Sequence, residues 1–115
     1  MPMALIVEDD PAVRESIADV ARDGGYLVVE ARDSDTALRA LTTGGISVAL
    51  IDLQLPGSMD GFGLARHIAA TWPDVSLIIT SGWVLPFPGA LPQGSEFLGK
   101  PFRETDLAKM LMAAA

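Results

Sequence analysis

Five short apolar runs punctuate the chain, each followed by a turn-rich or amphipathic stretch. Ala4-Leu5-Ile6-Val7 has no polar position and is too short for a helix, so it predicts a buried strand. Asp10 then offers a side-chain cap, and Pro11 suits a first helical position. Val13, Ile17, Val20 and Ala21 recur at helical spacing, and Gly24-Gly25 stops that helix. Leu27 to Ala31 predicts a second strand. Ser34 or Asp35 is expected to cap a second helix carrying Ala37, Leu38 and Leu41, which ends at Gly44-Gly45. Val48-Ala49-Leu50-Ile51 predicts a third strand, apolar on both faces as in a central parallel strand covered by helices. The turn-rich Leu55-Pro56-Gly57-Ser58-Met59-Asp60-Gly61 leads to a third helix with Phe62, Ala65, Ile68 and Ala69 inward, ended by Trp72-Pro73. Val75 to Thr80 and Glu96-Phe97-Leu98 predict the fourth and fifth strands. Glu104 to Met112 predicts a last helix with Leu107, Met110 and Leu111 apolar.

Strand and helix alternate, so the expected fold is a doubly wound α/β parallel sheet, with one domain over residues 1–115. One segment breaks the rhythm. Trp83-Val84-Leu85-Pro86-Phe87-Pro88-Gly89-Ala90-Leu91-Pro92 holds three prolines and a glycine, which disfavours a regular fourth helix. The length of 115 residues suits one domain, and half of the residues are hydrophobic, enough for one core. There is no cysteine, hence no disulfide or thiolate metal site, as befits a reducing cytoplasm. The first residues lack the basic segment of a signal peptide, and no apolar run approaches membrane-spanning length. With 15 acidic and 8 basic residues the net charge is −7, which disfavours direct binding to nucleic acid or to anionic membranes.

In open α/β sheets ligands bind outside the carboxyl ends of the strands. Here the first predicted strand ends in Glu8-Asp9-Asp10, the third in Asp52, the fourth in Thr80-Ser81-Gly82 and the fifth in Gly99-Lys100-Pro101. Clustered carboxylates favour a hard divalent cation such as Mg²⁺. An aspartate can attack phosphorus to form an acyl phosphate. Phosphoryl transfer then needs charge neutralised on the equatorial oxygens, which Mg²⁺, Lys100 and the Ser81 hydroxyl can each supply. Singly, these residues read as an acidic helix start and as solvated loop positions. Their joint placement at the ends of one sheet carries the functional reading.

Leu5-Ile6-Val7-Glu8-Asp9-Asp10-Pro11, Asp52-Leu53-Gln54-Leu55-Pro56 with Met59-Asp60-Gly61, Thr80-Ser81-Gly82 and Lys100-Pro101-Phe102 follow in order. This series resembles the receiver domains of two-component response regulators over nearly the whole chain. The resemblance implies a flavodoxin-like sheet order 2-1-3-4-5. It implies Asp52 as phosphoacceptor, with Mg²⁺ held by Asp9, Asp52, the Gln54 backbone carbonyl and, through water, Glu8, while Asp10 lies nearby or only caps. It further implies Ser81 as switch hydroxyl, Lys100 as phosphate partner, Phe97 as switch aromatic, and a cis peptide before Pro101. Two departures stand out: a loop one residue longer between Pro56 and Asp60-Gly61, and the proline-rich fourth-helix segment. Both resemble stand-alone and hybrid-kinase receivers common in alphaproteobacteria. Gln54 and Trp83 stand where a side chain orients or blocks the water that hydrolyses the acyl phosphate. An indole more readily excludes water than activates it, so a long-lived phosphoryl group is expected.

The implied partners are a histidine kinase or phosphotransferase protein and a downstream protein target, with no turnover beyond self-phosphotransfer and autodephosphorylation. A monomer or a non-standard dimer is expected, with Val84, Leu85, Phe87 and Leu91 as exposed apolar candidates for a partner patch. A phosphorylation-independent interaction module is the alternative, opposed by the complete set of acids and Lys100. A nucleotide- or flavin-binding domain lacks the Gly- or Ser/Thr-rich cradle it requires after the first strand. His67 reads as a solvated helix residue, Met110 and Met112 as cover of the last helix, and Phe62 and Phe102 as core.

Overall fold

The computed structural model describes residues 1–82, 86–87 and 89–114. The elements run β1 (Met3–Val7), α1 (Pro11–Asp23), β2 (Leu27–Ala31), α2 (Ser34–Thr42), β3 (Ile46–Asp52), α3 (Gly61–Thr71), β4 (Ser76–Ser81), β5 (Glu96–Gly99) and α4 (Glu104–Ala114). The five strands form one parallel sheet in the order β2-β1-β3-β4-β5, as the resemblance implied.

Successive side chains of a strand point to opposite faces, and this divides the core in two. Leu5, Val7, Ala49, Ile51, Leu77 and Ile79 face one side, where Ala37 and Leu41 of α2 and Leu64, Ala65 and Ile68 of α3 cover them. Ala4, Ile6, Val48, Leu50 and Ile78 face the other, under Ile17 and Ala21 of α1 and Leu107 and Leu111 of α4. The all-apolar runs are therefore buried on both faces, as in central parallel strands. Tyr26, in the α1–β2 turn, donates its hydroxyl hydrogen to the Leu111 carbonyl and so ties α4 down near its end.

Asp10 caps α1, accepting from Ala12 N at 2.9 Å, with Pro11 first in the helix. The cap of α2 differs from expectation. Asp33 serves, accepting from Thr36 N at 2.8 Å, while Ser34 is the first helical residue and Asp35 follows it. Ser34 is buried, and its hydroxyl donates to the Met59 carbonyl at 2.8 Å. In α3 the inward set is Leu64, Ala65 and Ile68, whereas Phe62 and Ala69 are only partly buried against the core. Phe102 is likewise partly buried. His67 is exposed, with its ring edge-on to Trp72.

Between β4 and β5 the described residues form no helix, in keeping with the proline-rich sequence. Ala90 is buried and Leu91 packs against the core, so Leu91 is not the exposed residue it was expected to be. Phe87 is 73% exposed. Trp83, Val84 and Leu85, named above for water exclusion and for a partner patch, lie outside the described residues.

Candidate functional site

Parallel pairing brings the carboxyl ends of the strands to one edge, and three further hydrogen bonds extend the rungs past the strands. Glu8 N donates to Ala31 O at 3.0 Å, Leu53 N to Thr80 O at 2.9 Å, and Lys100 N to Ser81 O at 2.9 Å. Glu8, Asp52, Ser81 and Lys100 thus meet at one end of the sheet, as their positions after the apolar runs predicted.

Glu8 and Asp52 are buried, and Asp9 is exposed beside them. One oxygen from each of the three carboxylates lies within 4.8 Å of the others. Lys100 Nζ donates to Glu8 Oε1 at 2.5 Å and to Asp52 Oδ2 at 3.3 Å. Asp52 Oδ1 accepts from Gln54 N at 3.1 Å, and Glu8 Oε2 from Asp10 N at 3.2 Å. The Asp10 carboxylate is used in capping α1, whereas the Asp9 carboxylate has no hydrogen bond among the described residues. The peptide between Lys100 and Pro101 is cis.

Burial pushes the Glu8 carboxyl above the usual carboxylate range and outweighs the lowering by the Lys100 hydrogen bond. Burial acts on Lys100 in the downward direction, but the hydrogen bond and charge of Glu8, joined by Asp52, leave it raised. Three carboxylates against one ammonium leave net negative charge in a pocket of oxygen donors. That set fits a hard divalent cation of the Mg²⁺ class.

Several contacts here were not foreseen. The Gln54 side chain accepts from Ser81 Oγ at 3.0 Å, so the amide holds the hydroxyl expected to serve as the switch. Gly61, at the start of α3, lies against the end of β3; an added Cβ would fall 2.2 Å from Asp52 O and 2.5 Å from Leu53 Cα. The Met59-Asp60-Gly61 motif thus has a steric reason: only glycine lets α3 start against the backbone of Asp52. The Ser34 hydroxyl holds the same loop through Met59 O. Arg14 Nη1 donates to the Glu8 carbonyl at 2.9 Å. Phe97 is partly buried, packed against the core on the α2–α3 side.

The family model described as response regulator receiver domain matches residues 4–112. The chain belongs to the response regulator receiver domains. The receiver is 32% identical over 114 residues to the NtrX-like response regulator of Rickettsia bellii, covering 96% of this chain and 24% of that protein. It spans about a quarter of the NtrX-like proteins it matches. It is 31% identical over 121 residues to the response regulator receiver protein CpdR of Brucella abortus, covering 99% of this chain and 100% of that protein. The solved receiver domain of NtrX from Brucella abortus superposes with a TM-score of 0.81 at 27% identity, covering 97% of this chain and 99% of that one. Receiver domains are typically signalling switches of two-component systems rather than enzymes in the usual sense. Among the described residues no helix of this receiver is long and apolar enough to cross a membrane.

Proposed function

We propose that this domain, taken as one unit over residues 1–115, is a phosphorylation-operated switch in which Asp52 is the phosphoacceptor. The observation that carries the reading is the convergence of Glu8, Asp9 and Asp52 oxygens within 4.8 Å, with Lys100 Nζ 3.3 Å from Asp52. A histidine kinase or phosphotransferase supplies the group as a phosphohistidine. The Asp52 carboxylate attacks phosphorus, an O–P bond forms, and the P–N bond breaks with its electron pair returning to the imidazole, which takes up a proton. Asp9, Asp52 and the Gln54 carbonyl would hold Mg²⁺, with Glu8 acting through water. When bound, Mg²⁺ supplies positive charge opposite the phosphoryl oxygens.

Lys100 already touches Asp52, so it can pair with a phosphoryl oxygen on releasing Glu8. Ser81 is the second such partner and must first leave Gln54. Phe97 then fills the space that Ser81 leaves, and the surface around it changes by a shift of populations. Gln54 and Trp83 govern access of the hydrolytic water. Self-phosphotransfer and autodephosphorylation are the only chemistry. The output is contact with a downstream protein, in the cytoplasm, by a monomer or a dimer that does not use the face of the proline-rich segment between β4 and β5.

The test is acetyl phosphate uptake with and without Mg²⁺. Uptake is expected to require Mg²⁺ and to be lost in Asp9→Ala with the fold retained. Normal uptake by that variant would defeat the reading.

A further inference from the structure

Arg14 lies one turn inside α1, and its guanidinium reaches back over the end of β1. Nη1 donates to the Glu8 carbonyl at 2.9 Å, and Nε donates to Glu30 Oε1 at 3.2 Å. The Glu8 carbonyl stands just past the last rung of the β1–β2 ladder. Glu8 N still bonds Ala31 O, but β2 ends at Ala31. A buried strand-end carbonyl needs a donor, and the arginine stands in for the strand amide that is missing.

The peptide held in this way joins Glu8 to Asp9. The other side chains of the turn have partners of their own. The Glu8 carboxylate takes Lys100 and Asp10 N, and Asp10 caps α1. The Asp9 carboxylate has none among the described residues, so what is fixed is the backbone from which its side chain starts, and with it the range of directions the carboxylate can take. We propose that Arg14 and Glu30 are a positioning pair that fixes the Glu8–Asp9 peptide and so aims the Asp9 carboxylate at the cation site. The inference rests on the reading of Glu8, Asp9 and Asp52 as a Mg²⁺ site.

Charge explains why two residues are needed. A guanidinium beside a cation site repels the cation. Glu30 offsets that charge, and the planar fork lets one edge hold a carboxylate while another nitrogen holds the carbonyl. Arg22 adds a contact to Glu30 Oε2 at 3.4 Å, which steadies the carboxylate from the solvent side.

The sign of one measurement separates positioning from charge. On charge alone, Arg14→Met removes a cation and tightens Mg²⁺ binding; on positioning it weakens binding. The full chain is titrated with MgCl₂, and the Asp9 and Gln54 amide resonances are followed, with thermal unfolding as a check of the fold. Arg14→Met is expected to weaken Mg²⁺ by about tenfold, the low end of what loss of an orienting partner costs elsewhere. Arg14→Lys can hold the carbonyl or Glu30 but not both, and falls between. Glu30→Gln weakens Mg²⁺ by about twofold at low ionic strength, and added salt removes the difference. Binding by Arg14→Met as tight as wild type, or tighter, overturns the inference. If that variant does not fold, wild-type affinity in both Arg14→Lys and Glu30→Gln at low salt overturns it, and weakened affinity in both supports it. Absence of any Mg²⁺-dependent shift in the wild type instead defeats the site reading beneath it.

Discussion

Two connections leave the same edge of the sheet and are held in different ways. Residues 53–60, between β3 and α3, are tied to the sheet and to a neighbouring helix. Gly61 N donates to Leu53 O at 3.1 Å, Gln54 N to Asp52 Oδ1, and Ser34 Oγ to Met59 O. The Asp60 carboxylate caps α3 through Gly63 N at 2.9 Å. In the connection between β4 and β5, the backbone bonds of the described residues close only local turns, Ala90 N to Phe87 O and Ser95 N to Pro92 O. Ala90 and Leu91 anchor it to the core while Phe87 stands exposed. The hydrogen bonds of the first connection hold Gln54 and the end of β3 at Asp52 in place. Among its described residues the second is fastened by the packing of Ala90 and Leu91, and Phe87 faces outward.

Gly61→Ala breaks the first connection most severely. Its Cβ would overlap the backbone of Asp52, so we expect a loss of about 3 kcal/mol together with loss of phosphoryl uptake. Gly89→Ala is the matched change in the second connection. Gly89 has φ +85° but open space around it, so the cost is about 1–2 kcal/mol from backbone conformation, with uptake intact. Urea unfolding and an uptake assay on both variants would erase the contrast if they lost uptake equally. Next comes Ser34→Ala, which strands the Met59 carbonyl. It should cost about 1–2 kcal/mol in urea and slow uptake, although Ser34 is remote from Asp52 in sequence.

Tyr26→Phe is the control that lowers stability away from both connections. Removing the hydroxyl from Leu111 O should cost about 1 kcal/mol in urea and leave uptake unchanged. It carries a pH signature. Burial raises the Tyr26 phenol above its ordinary value, so the folded state favours the protonated form. That contribution is fully present below the unfolded pKa of about 10 and is lost as pH rises through the folded pKa. The Phe variant should show no such loss, and parallel alkaline profiles would contradict this. The smallest effect is expected of Phe87→Ser, within about 0.5 kcal/mol in stability and with normal uptake, because the ring is exposed. Its consequence should appear only as weaker capture of a downstream protein.

The strands, the Asp10 cap and the set of residues at the strand ends were legible because each rests on local pattern or on the rule that parallel strands end together. The contacts that were missed join residues far apart in sequence. Asp33, Ser34 and Asp35 are all competent caps, and what selects Asp33 is the burial of Ser34 against Met59, 25 residues away. Gln54 was read for its carbonyl and for water, but its side chain takes the Ser81 hydroxyl across 27 residues. Leu64 rather than Phe62 fills the core under α3, because Gly61 sets that helix against β3 and so fixes its phase. Leu91 shows the converse: a proline-rich segment without helical period still supplies a side chain to the core.

We propose that Asp52 takes the phosphoryl group at this edge of the sheet. Intact mass after incubation with Mg²⁺ and acetyl phosphate tests it most directly. The wild type should gain the mass of one phosphoryl group, and Asp52→Asn, folded to the same thermal midpoint, should gain none. An equal gain in Asp52→Asn, or no gain in a folded wild type, would contradict the account.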